Sequence, residues 1–469
     1  MGVAFLDGQK KSGGIKLNDV IEEYKYVAAG KTIKTGDFVS YINGITGETE
    51  LTSANIQLSA VKYAGYSISA VALDSNRVFI AHSYGESGSL YGIIITINGA
   101  TITCGTDTLI SSESGNGNVV STVLLEENKV FIAHRKGSNS SLMAIVCTID
   151  GTSITIGTDT TISSVDQTGG AISAVKIETN KVFIAHRYGG NHYLYGTVCT
   201  INGTAITVGA VTEIVNSSKA GYVVSACLLP GGNVFISHSY GSNYHLYGIV
   251  VSISGTTITK GTDTVINNSD PRTGFAISAC LLPNGTIFIA HSQTTNYNLH
   301  GIVVSVNGTT ITAGTDTQIS SLTKAGYIIK TQVLSDGNVF VMHNYDLTNY
   351  YLYGEVVTIS GTTMTVGADT ELNNNTFTGY NISAVLLDNG TVFIAHSESS
   401  SYYLNAQVWG IDETNKIPTN NIVITEYETQ VTPAEETPFD AIALSDGIGG
   451  TETAHNEQVL IARPNVEVV

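Results

Sequence analysis

Along most of this chain apolar and polar residues alternate in short runs rich in Val, Ile, Thr and Tyr, cut by Gly, Asn, Asp and Ser. A period of two puts successive side chains on opposite faces of a strand, so the pattern predicts β-strands joined by tight turns. One motif recurs within it at a fixed phase. Val-Phe-Ile-Ala-His occupies Val78 to His82, Val130 to His134 and Val182 to His186. It returns with small changes at Val234 to His238, Ile287 to His291, Val339 to His343 and Val392 to His396. The histidines step by 52, 52, 52, 53, 52 and 53 residues, and seven of the 11 histidines stand in this one phase.

Three further elements keep that register. An alternating stretch such as Ile68-Ser69-Ala70-Val71 precedes the motif, and a Leu-Tyr-Gly stretch such as Leu90-Tyr91-Gly92 follows it. Last comes a Thr-rich segment, Thr101 to Thr103 with Gly105-Thr106-Asp107-Thr108 in the first repeat. Asn98-Gly99, Asp150-Gly151 and Asn389-Gly390 mark joints where tight hairpins need positive φ. Each repeat therefore predicts four antiparallel strands in a meander. A four-stranded unit of about 50 residues in tandem is a propeller blade, and one alone is too small to hold a core. The expected fold is all-β, a seven-bladed β-propeller of four-stranded antiparallel blades over residues 41–411. The seventh repeat lacks its Thr-rich strand after Ile411, while Ile42-Asn43-Gly44 and Glu48-Thr49-Glu50-Leu51 form a spare match before the first. Residues 45–52 are accordingly expected to close blade seven and remove the open edge.

Charge and composition narrow the function. The formal charge of −18 on 469 residues repels phosphate and argues against a nucleic-acid partner. No apolar run approaches the roughly 20 residues of a membrane span, and the start lacks the charged leader and apolar core of a signal peptide. A protein made in the cytoplasm, without membrane insertion, is expected. Of five cysteines, Cys147, Cys199, Cys227 and Cys280 take places that other repeats give to valine and similar residues. They read as small buried hydrophobes with reduced thiols.

Residues 1–40 and 412–469 fall outside the repeat. The C-terminal part holds 11 acidic residues and 2 basic ones, the N-terminal part six lysines against five acids. Strand-like pieces in both, among them Asp37 to Tyr41, Ile422 to Tyr427 and Gln458 to Ala462, predict one small discontinuous β domain into which the propeller is inserted, with residues 1–14 as an extended arm. Val27-Ala28-Ala29-Gly30-Lys31-Thr32-Ile33-Lys34-Thr35-Gly36-Asp37-Phe38-Val39, completed by Phe439 to Leu444 and Gly447 to Gly450, resembles small β domains in virion proteins of tailed phages and phage-tail-like particles. The repeat pattern is similar to propeller arrays in phage proteins of Gram-positive anaerobes. The resemblance implies a non-enzymatic protein on the virion surface, homo-oligomeric or multicopy, assembled in the host cytoplasm. Its terminal domain would bind other virion proteins, and its propeller would face host cell-surface glycan or protein from a tail fibre or baseplate. A capsid decoration protein and a glycan-processing enzyme are the alternatives.

Candidate chemistry is sparse. His82, His134, His186, His238, His291, His343 and His396 could act as ligands or bases. None has a partner at metal-binding spacing. One per blade predicts a structural bond to a neighbouring strand or to the Asp of the fourth strand. The Gly-Thr-Asp-Thr segments around Asp107, Asp159, Asp263 and Asp316 lack the clustered carboxylates of calcium loops. No metal or other cofactor is expected. The common hydrolase, metalloprotease, phosphate-loop and dinucleotide motifs are missing, and Glu86, Glu113 and Glu398 interrupt the repeat without pairing. The loops between second and third strands offer Tyr84, Tyr188, Tyr193, Tyr240, Tyr244, Tyr345 and Tyr350 beside Asn and Ser. A second aromatic set, Tyr66, Tyr222, Phe275, Tyr327 and Tyr380, precedes the first strands. Such rings suit a glycan or protein ligand. The same rings also serve as packing between blades, and both uses stay open.

Overall fold

The computed structural model describes residues 51–422 except 127, 138, 413 and 414, together with the backbone of the flanking strands named below. Seven blades form a closed seven-bladed β-propeller. In the first, Ile68–Ala72, Arg77–Tyr84 and Ser89–Asn98 run antiparallel, followed by a fourth strand in two pieces, Thr101–Cys104 and Thr108–Ser111. Both pieces pair with the third strand, along Ile95–Asn98 and Leu90–Gly92 respectively. The break falls at Gly105-Thr106-Asp107. The other blades repeat this order. No helix among the described residues is long and apolar enough to cross a membrane.

Burial explains the repeated motif. Successive residues of the second strand point to opposite faces, and Val78, Phe79, Ile80 and Ala81 are all fully buried because both faces are covered. Phe79 and Ala81 pack with Val130 and Ile132 of the next blade. Phe79, Phe131, Phe183, Phe235, Phe288, Phe340 and Phe393 repeat this at every interface, each 0% exposed. Gly92 of the Leu-Tyr-Gly stretch lies within a strand, not at a turn. A Cβ there would come 2.9 Å from the Phe79 ring and 2.8 Å from Ile110, so the missing side chain makes room for the aromatic core.

The first strands neighbour one another around the ring, and Ile382–Leu386 returns to Ile68–Ala72. Serine hydroxyls stitch them together. Ser69, Ser121, Ser173, Ser225 and Ser278 each accept a backbone N–H of the following blade, from Thr122, Ala174, Ala226, Ala279 and Thr331, at 3.0–3.1 Å. Ser383 accepts from Ala70 N at 2.9 Å and closes the circle. Blade six carries Lys330 where the others carry serine.

Closure uses strand exchange, but the exchanged segment is not 45–52. Blade seven, Ile382–Leu386, Val392–Glu398 and Tyr403–Asp412, receives Ile56–Ser59 against Leu404–Ala406. Ile417–Thr419 pairs with Gly410–Asp412, so both chain directions contribute to its fourth strand. Residues 45–52 belong instead to one long strand, Phe38–Thr52. The phase of the repeat gives the reason. Asn55 stands 27 residues before His82, as Asp107 stands 27 before His134. The spare match at 42–51 runs ahead of that phase.

The chain divides into two compact units, 52–422 and 1–51 with 423–469. The second unit holds a five-stranded sheet in the order Val20–Tyr26, Gln458–Pro464, Ala441–Ala443, Phe38–Thr52, Asn421–Pro433. A two-stranded pair joins Thr32–Ile33 to Gly447–Ile448. The expected arm over 1–14 lies outside the described residues.

If Ile56–Ser59 seals the ring, Leu58, 8% exposed, is a core residue. Leu58→Ala is expected to cost about 2–4 kcal/mol in urea unfolding, like any buried leucine truncation. An unchanged midpoint would deny this segment the closing role.

Candidate functional site

At one end of the propeller, the loop entering each first strand meets the loop between the second and third strands of the preceding blade. Gly65 N donates to Tyr402 O at 2.7 Å, and Gly221 N donates to His192 O at 2.6 Å. A Cβ on Gly65 would lie 2.6 Å from Tyr403 O, so only glycine lets the two blades approach this closely. Each junction also holds three residues at positive φ, of which one is Gly85, Gly137, Gly189, Gly241, Thr294, Asp346 or Ser399 and the other two fall at equivalent places of the two loops. One loop supplies Gly88, Ser140, His192, Tyr244, Tyr297, Tyr350 and Tyr402, the other Tyr63, Gly115, Gln167, Lys219, Arg272, Lys324 and Phe377. Glycine adopts this region freely, whereas other residues lose about 1–2 kcal/mol there. Twelve of the fourteen nevertheless carry side chains.

Those side chains build an aromatic arc with the rings that follow the junction glycines. From His192 it runs through Tyr222 (5.6 Å between centroids), Tyr244 (5.0 Å), Phe275 (5.6 Å), Tyr297 (5.1 Å) and Tyr327 (5.1 Å). It continues through Tyr350 (6.1 Å), Tyr380 (5.3 Å) and Tyr402 (4.6 Å) to Tyr66 (5.7 Å). Phe377 and Tyr63 brace it against Tyr402 at 5.5 and 5.9 Å. Cations sit on the rings, with Arg272 4.8 Å from the Tyr297 centroid and Lys219 5.6 Å from that of Tyr222. Burial, then the Arg187 and Lys219 cations, hold His192 down at about 4, so the arc's first ring is neutral at pH 7.

The arc is interrupted where blades one, two and three meet. Gly88 and Gly115 replace two side chains there, and Asn118 and Gly170 stand where the other blades have Tyr or Phe. The result is a cleft of about 510 Å³ lined by Tyr63, Tyr66, Gly85, Glu86, Gly88 and Asn118. A second, of about 400 Å³, adjoins it at Asn118 and is lined by Glu113, Ser114, Gly115, Arg135 and Gly137. Arg135 and Arg187 occupy the place of Ser83, Ser239 and their equivalents. Arg187 Nε donates to Gln167 O at 3.2 Å, and its guanidinium fills the space over Gly170. The opening thus offers aromatic walls, an amide, a carboxylate and a guanidinium within one concave surface. Such a set can stack on a sugar ring and hydrogen-bond its hydroxyls.

The tyrosines marked in the sequence separate into two groups. Tyr244 and Tyr350 belong to the arc. Tyr84, Tyr188 and Tyr240 stack instead on Tyr91, Tyr195 and Tyr247 at 3.9, 4.0 and 4.2 Å. Tyr345 meets Tyr353 edge-on at 5.4 Å, and Tyr193 accepts from Asn191 Nδ2 at 2.9 Å. Sequence reasoning missed Tyr63, Tyr297, Phe377 and Tyr402. A signal existed for two of them, since Tyr297 and Tyr402 stand six residues after the motif histidine, as Tyr244 does. Of the three interrupting glutamates, Glu86 and Glu113 face the clefts. Glu398 accepts from Asn55 Nδ2 at 2.6 Å and Asn375 Nδ2 at 2.8 Å.

The seven histidines are 0% exposed. His82 Nδ1 meets Ser83 O at 2.7 Å and its Nε2 meets Asp107 Oδ1 at 2.9 Å. His134, His238 and His291 reach Asp159, Asp263 and Asp316 in the same way at 2.9–3.0 Å. The aspartate's other oxygen takes a serine of the preceding blade, as Ser59 Oγ does on Asp107 at 2.9 Å and Ser111 Oγ on Asp159 at 3.2 Å. So the Gly-Thr-Asp-Thr aspartates serve as pins between strands and between blades. Blade three, which lacks the aspartate, gives His186 the Thr197 hydroxyl at 3.2 Å. Blade seven gives His396 the Asn55 amide oxygen at 3.1 Å.

The five cysteines are free, with Cys147, Cys199 and Cys227 buried. Burial pushes the Cys147 and Cys199 thiols up to about 12.

No protein-family model matches the chain, and no curated protein matches it. Among solved structures it is similar to a candidate 6-phosphogluconolactonase from Bacteroides fragilis (TM-score 0.55, 11% identity, covering 76% of this chain and 99% of that one). A second candidate 6-phosphogluconolactonase, from Bacteroides uniformis, gives a TM-score of 0.53 at 12% identity over 76% and 100%. A protein from Lactobacillus plantarum gives 0.52 at 12% over 76% and 97%. At these identities the likeness shows the fold alone.

His186 provides a test of the pins. Burial holds it at about 4, below the ordinary 6.5, despite its bond to Arg187 O. The ring facing Thr197 and Tyr195 is therefore neutral in the folded chain, and the unfolded chain binds the proton first. Its contribution is complete above about pH 6.5 and is lost as pH falls to about 4, on the order of 3 kcal/mol. Urea midpoints of wild type and His186→Asn should converge over that window. A gap that stays constant with pH would refute the neutral pin.

Proposed function

We propose that this protein is a non-enzymatic adhesin in which the propeller binds a negatively charged surface glycan at its aromatic end. The terminal β unit would attach it to a larger particle. One observation carries the first half. Side chains stand at positive φ in twelve of the fourteen paired places of these loops, and at Thr294, Asp346 and Ser399 besides, where glycine would be free of cost, and backbone strain of this kind clusters at binding sites. The choice of residues supports an acidic ligand. Arg135, Arg187 and Arg272 are three of only five arginines in a chain of net charge −18, and all three belong to these junctions. Arginine pairs well with carboxylate and phosphate groups.

The attachment half rests on the likeness of the terminal segments to small β domains of phage and phage-tail-like particles. Among the settings this likeness suggests, a tail fibre or baseplate makes the fullest use of a cleft that grips a host surface. Many copies on one particle would multiply weak single-site affinities.

The test uses the full chain on an array of bacterial cell-wall and capsular polysaccharides. Binding to acidic members is expected, weakening with salt and at least about tenfold weaker in Tyr66→Ala and Asn118→Ala. Tyr297→Gly is expected to cut binding while changing stability by less than about 1 kcal/mol, because relief at φ 55° offsets lost ring contact. Absence of any polysaccharide signal, or cleavage of a bound chain, would overturn the reading.

A further inference from the structure

Blade six departs from its six siblings at one buried place. The third-strand residue opposite the middle of the apolar motif is Ile93, Ile145, Ile249 and Ile302 in four blades and Thr197 and Gln407 in two, but Glu355 in the sixth. Threonine in blade three replaces a missing aspartate, as described above. No such need exists in blade six, where Asp369 already stands in the aspartate phase. Glu355 is 0% exposed. Its Oε2 lies 2.9 Å from His343 Nε2, and Asp369 Oδ1 lies 3.3 Å from the same nitrogen.

Two carboxylates therefore converge on one imidazole nitrogen inside a blade. A single imidazolium balances only one of them. Glu355 Oε1 is buried without a hydrogen-bond partner, and Asp369 Oδ1 meets only the imidazole nitrogen that Glu355 also occupies; a buried charged oxygen left unpaired is among the costliest features a core can hold. The ring is already oriented as a ligand. As in the other six blades, Nδ1–H of His343 donates to the following carbonyl, Asn344 O, at 2.8 Å, which here turns Nε2 toward two carboxylates; metal-bound histidines use the same second bond. Ser320 and the Ser321 backbone hold Asp369 from the preceding blade. Asp369 is 20% exposed, which leaves a path for an ion from solvent.

From this we infer that His343, Glu355 and Asp369 form a binding site for a divalent transition-metal ion, best matched by Zn²⁺. Their ligand atoms lie within 4.8 Å of one another. Bonds of about 2.0–2.2 Å to nitrogen and oxygen in a tetrahedron need ligands ~3.3 Å apart, so small side-chain shifts complete the set. A second Glu355 oxygen or a water supplies the fourth position. One imidazole with two carboxylates favours zinc over calcium and magnesium, which prefer all-oxygen shells. The ion would join the second, third and fourth strands of one blade, a structural clip separate from the aromatic end.

The experiment is zinc titration of the full chain after chelator treatment, read by competition with a chromophoric chelator and by the thermal midpoint. One tight zinc per chain is expected, with a rise in the midpoint. Glu355→Ile, the residue four other blades carry, should fold and lose that zinc together with the rise. Asp369→Asn, which keeps shape, should weaken zinc at least about tenfold. Surface histidines are controlled by the same comparison, since they persist in both variants. A wild type that takes up no zinc, or a Glu355→Ile protein that binds it as the wild type does, would overturn the proposal. Should Glu355→Ile fail to fold, Glu355→Gln gives the same reading.

Discussion

Each blade has a strand whose two faces are both apolar, and that constraint sets everything else. Val78 and Ile80 look one way, Phe79 and Ala81 the other, and all four are fully buried. A lone sheet of about 50 residues cannot cover both faces, and a linear stack leaves one end sheet with a bare face at each extremity. Closing the stack into a ring removes both bare faces and both free edges at once. The ring fixes the distance between neighbouring loops to the same value at every junction, which is why a feature of one loop pair recurs seven times. The loop surface inherits its geometry from that repetition.

The buried imidazoles show how strictly the interior enforces hydrogen bonding. His82, His134, His238 and His291 each have an aspartate. Where blade three has Ala210 and Val211 in place of the Asp segment, a threonine replaces isoleucine on the adjacent strand and reaches His186. Where blade seven borrows its strand from residues 56–59, the borrowed segment brings Asn55 to the same nitrogen. Loss and replacement within one chain, at positions adjacent only in space, are what the cost of an unpaired buried polar group predicts. Blade six breaks this balance in the opposite direction by adding Glu355, and an added carboxylate calls for an added positive charge.

Much of this was legible in the chain. A seven-fold histidine phase with hairpin signals states blade number and strand order without any coordinates, and the histidine-to-aspartate bond followed from the need to pair buried imidazoles. The closing strand was harder because its phase marker is Asn55 rather than aspartate, while Asn43-Gly44 and Thr49 imitate a hairpin and a Thr-rich segment nearby. The aromatic arc was half visible. Tyr244 and Tyr350 carry it, but Tyr84, Tyr188 and Tyr240, which look equivalent as loop tyrosines, sit on the blade and stack on the Leu-Tyr-Gly rings. Which ring meets which depends on contact between consecutive blades, and linear spacing holds no record of it. Positive φ at these non-glycine positions is equally silent in sequence, since Tyr, Lys and Arg give no local sign of a left-handed backbone.

The interruption in the arc has its own logic. Seven identical junctions would present seven equal surfaces with no one place set apart. Removing both side chains of one junction, at Gly88 and Gly115, opens adjoining clefts of about 510 and 400 Å³ and leaves Tyr63 and Tyr66 as a wall. Glycine at these two places is also the unstrained choice, so the opening needs no local compensation, while the strained side chains are kept where they build the surface around it. A scaffold selected for stability alone would have spread glycine evenly through all fourteen places. The uneven distribution leaves an arc of rings with cations beside it, broken at one gap that guanidinium groups flank, and this is the arrangement the proposed glycan site needs.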